Sequence, residues 1–107
     1  MEARLVALLE PYRARLEEAT IYGIPVLRRP GAAAHDWFAG VQRADRYVKL
    51  NLLPMHGHPE VLEGLSVELL RHKTGASVLR FTELDDELAV EVGALLARGF
   101  DVYTGSP

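Results

Sequence analysis

The densest concentration of ligating side chains in the chain is His56-Gly57-His58, where two imidazoles two residues apart on a turning backbone can approach one ion. His35-Asp36 would add a third ligand only if the two loops meet, and Gly57 and Pro59 already explain the stretch as a turn. A second group, Glu83, Asp85, Asp86 and Glu87 with Glu91 beyond, offers the clustered carboxylates a hard divalent cation takes. Helix capping accounts for the same residues: Asp85 in the N-cap position, acids behind it at the positive end of the dipole. A third, Arg71-His72-Lys73-Thr74-Gly75 followed by Ser77, puts cations beside a glycine turn whose amides can hold an anion. A helix C-terminus asks for the same cations and glycine.

Covalent chemistry has less support. There is no cysteine, so thiol nucleophiles and thiolate metal sites are excluded. None of Ser66, Ser77 and Ser106 sits in a G-x-S-x-G elbow, and neither G-x-x-x-x-G-K-[ST] nor G-x-G-x-x-G occurs. Tyr22, Trp37, Phe38 and Tyr47 suit a pocket wall or a core equally. With no catalytic constellation, the expectation is a binding module and not an enzyme.

The elements that must position these residues follow from periodicity. Leu5, Leu8, Leu9, Tyr12, Leu16 and Ala19 recur at three- and four-residue spacing, which predicts a helix over residues 2–19, either kinked near Pro11 or split there into two short helices. Residues 21–27 are rich in β-formers; Pro25 predicts an edge strand or an irregular one, and Gly23 allows a bulge in it. Residues 37–41 and 46–53 read as a hairpin around the polar turn 42–45. Val48, Leu50 and Leu52 share its core face, leaving Tyr47, Lys49, Asn51 and Leu53 on a wetter one that allows a homodimer. Pro59 opens a predicted helix that ends near Lys73 with Gly75 as its stop, and residues 77–82 form a strand. A last helix runs from Asp85 to Arg98 and Gly99. The fold class is α+β, an antiparallel sheet covered by helices in the order α-β-β-β-α-β-α.

At 107 residues the chain holds one domain with room for a core. Twelve basic against fifteen acidic residues, net −3, argue against a nucleic-acid partner. No apolar run reaches membrane-spanning length and the N-terminus lacks a signal-peptide pattern, which makes the cytoplasm the expected location.

Residues 73–81, KTGASVLRF, continuing through Thr82-Glu83-Leu84-Asp85 into an amphipathic helix, resemble the C-terminal half of the YdhG-like family of domains of unknown function. Ile21-Tyr22-Gly23-Ile24-Pro25 resembles that family's Tyr/Trp-Gly-x-Pro segment, and residues 37–41 and 47–55 resemble its sheet strands. The resemblance spans nearly the whole chain and departs at Ala76, where many members carry a second lysine. It implies a compact α+β domain similar to frataxin-like folds. Some members are described as frataxin-like iron chaperones, which makes divalent-metal binding, with iron as cofactor, the alternative reading. Arg13 and Arg15 interrupt the carboxylate ridge such a role would want. The leading expectation is a surface for a small ligand or protein where the best-matched segments meet: Tyr22, Gly23, Pro25 and Trp37 with Arg71, Lys73, Thr74 and Gly75.

Overall fold

The computed structural model describes residues 1–105. Helix α1 (Glu2–Leu9) stops well short of its sequence pattern and tightens into a 3-10 segment, Glu10–Arg15. Pro11 is the reason: it has no N–H for the ladder and crowds the carbonyl four residues back, so the α-helix ends just before it. Glu17, Glu18 and Ala19 are consequently not helical. They belong to β1 (Glu17–Ile21), which pairs antiparallel with β2 (Ile24–Arg28).

Gly23 is not a bulge. Tyr22 and Gly23, both at positive φ (51° and 79°), form the two-residue hairpin turn between Ile21 and Ile24, the backbone the primed turns demand. Of the two expected forms β2 takes the irregular one and not the edge: it lies between β1 and β3, and Pro25 limits its pairing. Alternation from the Ile21–Ile24 pair turns the polar backbone of Pro25 and Leu27 toward β3 (Ala39–Arg43). Leu27 O accepts from Phe38 N–H at 2.8 Å, but Pro25 has no N–H to offer, and the two strands register only at Leu27–Ala39. Past that point β2 crosses over Gly40, whose missing Cβ would lie 2.0 Å from Pro25 O.

The β3–β4 hairpin is regular, with β4 (Val48–Leu52) matched residue for residue from Ala39–Leu52 to Arg43–Val48. The predicted long helix after Pro59 is replaced by a 3-10 turn, Pro59–Leu62, and a four-residue α2 (Val67–Leu70). Gly64 at φ 78° interrupts the run, and Ser66 starts α2 by accepting Leu69 N–H at 3.1 Å. Lys73, Thr74 and Gly75 are therefore not a helix end but strand β5 (Lys73–Gly75), paired with β6 (Val78–Phe81). Asp85 does cap α3 (Asp86–Thr104), taking Leu88 N–H at 2.8 Å. That helix continues through Gly99, where the bare backbone lets Leu52 approach, and ends at Gly105 with φ 73°.

The outcome is an α+β fold with a six-stranded antiparallel sheet in the order β1-β2-β3-β4-β6-β5. Its element order, α-β-β-β-β-α-β-β-α, has two strands more than the sequence suggests. Leu5 and Leu9 of α1 and Leu88, Val92, Leu95, Leu96 and Phe100 of α3 bury one face of the sheet against Leu50, Leu52, Leu79 and Phe81. Val48, Leu50 and Leu52 point into that core as the alternation requires. The opposite face is less open than expected. Asn51 is only 5% exposed, and its Nδ2 has no hydrogen-bond partner. Tyr47 carries the Arg80 guanidinium 4.3 Å from its ring centroid, with Lys49 at 5.9 Å. No helix among the described residues is long and apolar enough to cross a membrane.

Candidate functional site

Two segments outside the sheet ladder, the connection from β2 to β3 and the chain leaving β4, meet the last turn of α3. Between them lies an open cleft of about 380 Å³ walled by Trp37, Leu53 and Pro54 and by Val102 and Tyr103. Arg29, His35, Asp36, His56 and His58 supply its polar groups. Leu53 and Pro54 are placed by a 3-10 turn, Leu53–Met55, that ends β4 because Pro54 cannot extend it.

The connection from β2 to β3 has no strand or helix of its own, so other bonds hold it. Tyr103 Oη accepts the Arg29 backbone N–H at 2.8 Å and donates to Asp36 O at 3.3 Å. The Arg29 guanidinium lies 4.7 Å from the Tyr103 ring centroid and binds Asp36 Oδ2 at 2.6 Å. The hydrogen bond to Asp36 is the main influence holding the Arg29 pKa above its ordinary value, fixing its charge. Burial raises the Tyr103 phenol, and the bonds from Arg29 partly offset it, so it stays protonated. Phe38, 5.9 Å from Tyr103 and 5.3 Å from Phe100, anchors the far end of the segment in the core. On the other wall His58 Nδ1 lies 3.2 Å from Glu60 Oε1. The Tyr22 ring, which does not itself line the cleft, stands 6.4 Å from the ring of His35, which does.

The structure thus brings together residues drawn from separate expectations: Trp37 from the ligand surface, His56 and His58 from the metal alternative, and Tyr22 through His35. It does not bring them to Arg71, Lys73, Thr74 and Gly75. Those residues lie at or beside β5, at the opposite edge of the sheet from Tyr22, Gly23 and Pro25. Four interstrand steps separate β2 from β5, roughly 19 Å at normal strand spacing. The two matched segments do not form one surface, because Lys73–Gly75 adds to β6 and β1–β2 occupies the other end.

The carboxylates are also spent separately. Asp85 caps α3, Asp86 pairs with Arg4, and Glu91 binds Ser66 on α2, while Glu83 and Glu87 are exposed. Among the described residues no three His, Asp or Glu side chains assemble as a ligating group, His35, His56 and His58 included. The residues do not fit iron or another divalent cation. Ser106 lies outside the described residues; Ser66 faces Glu91, with no histidine among its hydrogen-bond partners.

Sequence reading missed Arg29 and Tyr103. Arg29 falls between the predicted strands at 21–27 and 37–41, and nothing in its neighbours announces a bond to residue 103. Tyr103 had a signal: Leu96, Phe100 and Tyr103 continue the helical spacing of α3 past Gly99. A second cleft of similar size, between α1 and β1–β3, is floored by Leu9, Val26, Ala39 and Val41. Its charged rim includes Arg13 and Glu18, which already neutralise each other. No family model matches the chain, and neither a curated protein nor a solved structure does.

Proposed function

We propose that the chain is a non-enzymatic binding module, a YdhG-like domain whose loop cleft takes a small planar aromatic anion. The observation that carries this reading is the mixture of groups in one cleft. Trp37 gives an apolar, polarizable wall, while Arg29, shared with Asp36, and the imidazoles of His35, His56 and His58, the last shared with Glu60, give nitrogen donors. Only one carboxylate, Asp36, lines the same space, and it is already bound to Arg29. A concave site with an aromatic wall and a few convergent polar groups is the ordinary form of a small-ligand pocket. The cleft's phenol is committed to Arg29 and Asp36. The expected location remains the cytoplasm.

Trp37 is the only tryptophan, so its emission reports directly on the cleft. Titration with naphthoate should quench that emission along a saturable curve, and His56→Gln with His58→Gln should weaken it. Quenching that rises linearly without saturation, or that the double variant leaves unchanged, would show that the cleft does not recognise an aromatic anion.

A further inference from the structure

We infer that Tyr22 is the specificity residue of this cleft, an aromatic flap at the hairpin tip that closes on the ring of the bound ligand; the inference rests on the ligand reading above. Three observations converge on it. Tyr22 is the only residue other than glycine with positive φ among the described residues, at 51°. For a bulky side chain that backbone is unfavourable, and Asn, Asp or Gly is the residue a two-residue hairpin of this type prefers. The side chain is also 85% exposed, the most exposed large apolar group described. A tyrosine so placed gains little from burial and sits on a backbone that other residues fit better.

What the position does provide is reach. The ring lies 6.4 Å from His35, tilted 35° to it, and His35 lines the cleft. Rotation about the side-chain torsions of an exposed tyrosine takes place on the picosecond to nanosecond scale, so the ring can reorient about its fixed backbone. Trp37 from the connecting segment and Tyr22 from the hairpin tip would then hold a flat ring between them, with the anionic end directed to the imidazoles and Arg29. Turn geometry fixes where Tyr22 stands: Ile21 pairs with Ile24, and the register Glu17–Arg28 to Ile21–Ile24 leaves the tip no freedom to slide.

The inference predicts that fold stability and ligand selectivity separate at this one residue. Tyr22→Asn suits the turn better and should raise Tm by about 2–5 °C. The same change should weaken naphthoate binding about fivefold, the loss expected when one aromatic contact is removed. Tyr22→Phe, which keeps the ring, should restore the affinity. Cyclohexanecarboxylate, with the same charge and no π system, should bind wild type and Tyr22→Asn equally, measured by displacement of naphthoate. If wild-type protein shows no saturable naphthoate binding, the cleft reading falls and this inference falls with it. If wild type binds and Tyr22→Asn binds as tightly, the cleft stands and the role of Tyr22 is overturned. Equal losses for both carboxylates would also overturn it, since Tyr22 would then act on the cleft's shape and not on the ring.

Discussion

At the β1–β2 end of the sheet nearly every cation has a carboxylate partner: Arg28 with Glu17, Arg13 with Glu10 and Glu18, Arg29 with Asp36. At the β5–β6 end Arg71, Lys73 and Arg80 have no ion pair among the described residues, and Arg80 rests on the Tyr47 ring instead. The difference follows the backbone. Around β5 and β6 the ladder is maintained, if bulged, and Leu79 and Phe81 are buried beneath it, so side-chain charges have nothing to repair. Around β2 the ladder to β3 reduces to one registered pair, and the connection that follows has no ladder at all. Ion pairs and the Tyr103 hydroxyl hold that end, and the cleft opens where regular structure stops. Binding residues concentrate on such connections because a rigid scaffold can present them without constraining their chemistry.

The sharpest way to break the comparison is to strike one glycine at each end. In Gly40→Ala the new Cβ would stand 2.0 Å from the Pro25 carbonyl oxygen, a backbone atom that cannot swing aside. The variant should lose about 3 kcal/mol or more in denaturant unfolding, or fail to fold. In Gly75→Ala the nearest atoms belong to the Val78 side chain at 4.0 Å, an ordinary contact. That variant should stay within about 0.5 kcal/mol of wild type. Similar losses at both sites would mean that the β2–β3 crossing is not the tighter constraint.

Next in size comes the hydroxyl that ties the β2–β3 connection to α3. Tyr103→Phe keeps the ring against Phe38 and Arg29 but leaves the Arg29 N–H and Asp36 O without this partner. About 1 kcal/mol of stability should go, because both groups are partly reachable by water. Naphthoate affinity should fall as well, since Arg29 and Asp36 line the cleft. A loss of stability with unchanged affinity would separate the tie from the site.

Which parts of this were readable from the chain follows the same division. The core alternation of Val48, Leu50 and Leu52 and the Asp85 cap are local: spacing and one side chain's preference decide them, and both appear in the structure. The first helix is shorter than its pattern: a three-and-four spacing of apolar residues continues through Leu16 and Ala19, while Pro11 and the pairing offered by residues 24–28 override it. Lys73-Thr74-Gly75 misled for the same reason. A cation followed by glycine is what a helix end wants, and only the tertiary partner β6 makes it a strand. The cleft lay beyond local reading altogether, because Arg29 and Tyr103 are 74 positions apart. The individual residues Trp37, His56 and His58 were legible; their meeting was not.

A smaller effect, confined to acid, tests the contact between α2 and α3. Glu91 accepts Ser66 Oγ–H at 2.7 Å and Ser66 N–H at 2.8 Å, bonds that favour the carboxylate and hold its pKa below the ordinary 4.5 against the opposing effect of burial. A carboxylate whose pKa is lowered by folding stabilises the native state above its unfolded value, and that contribution is lost as pH falls through the folded one. Wild type should therefore lose Tm more steeply than Glu91→Gln as pH drops below about 4.5. The two curves should converge at the acid limit and lie parallel at neutral pH. Parallel curves throughout would mean that the Ser66 bonds do not favour the ionised form.

The smallest expected effect bears most directly on the two ends of the sheet. Arg71→Gln with Lys73→Gln removes both cations beside β5, which hold no ion pair and cover no cleft residue. Stability should stay within about 0.5 kcal/mol, as for surface changes away from packing or caps. Naphthoate affinity should change little, because neither cation lines the cleft, and β6, roughly 10 Å of sheet at normal strand spacing, and intervening salt separate them from its β4 wall. Arg29→Gln, one residue beyond β2, should weaken the same ligand severalfold, since there the cation sits in the cleft wall and its carboxylate partner would be left unpaired. If instead the β5 variant lost the affinity and the Arg29 variant kept it, the ligand would belong to the basic edge, and the paired charges around Arg29 would serve only to hold the chain where the ladder fails.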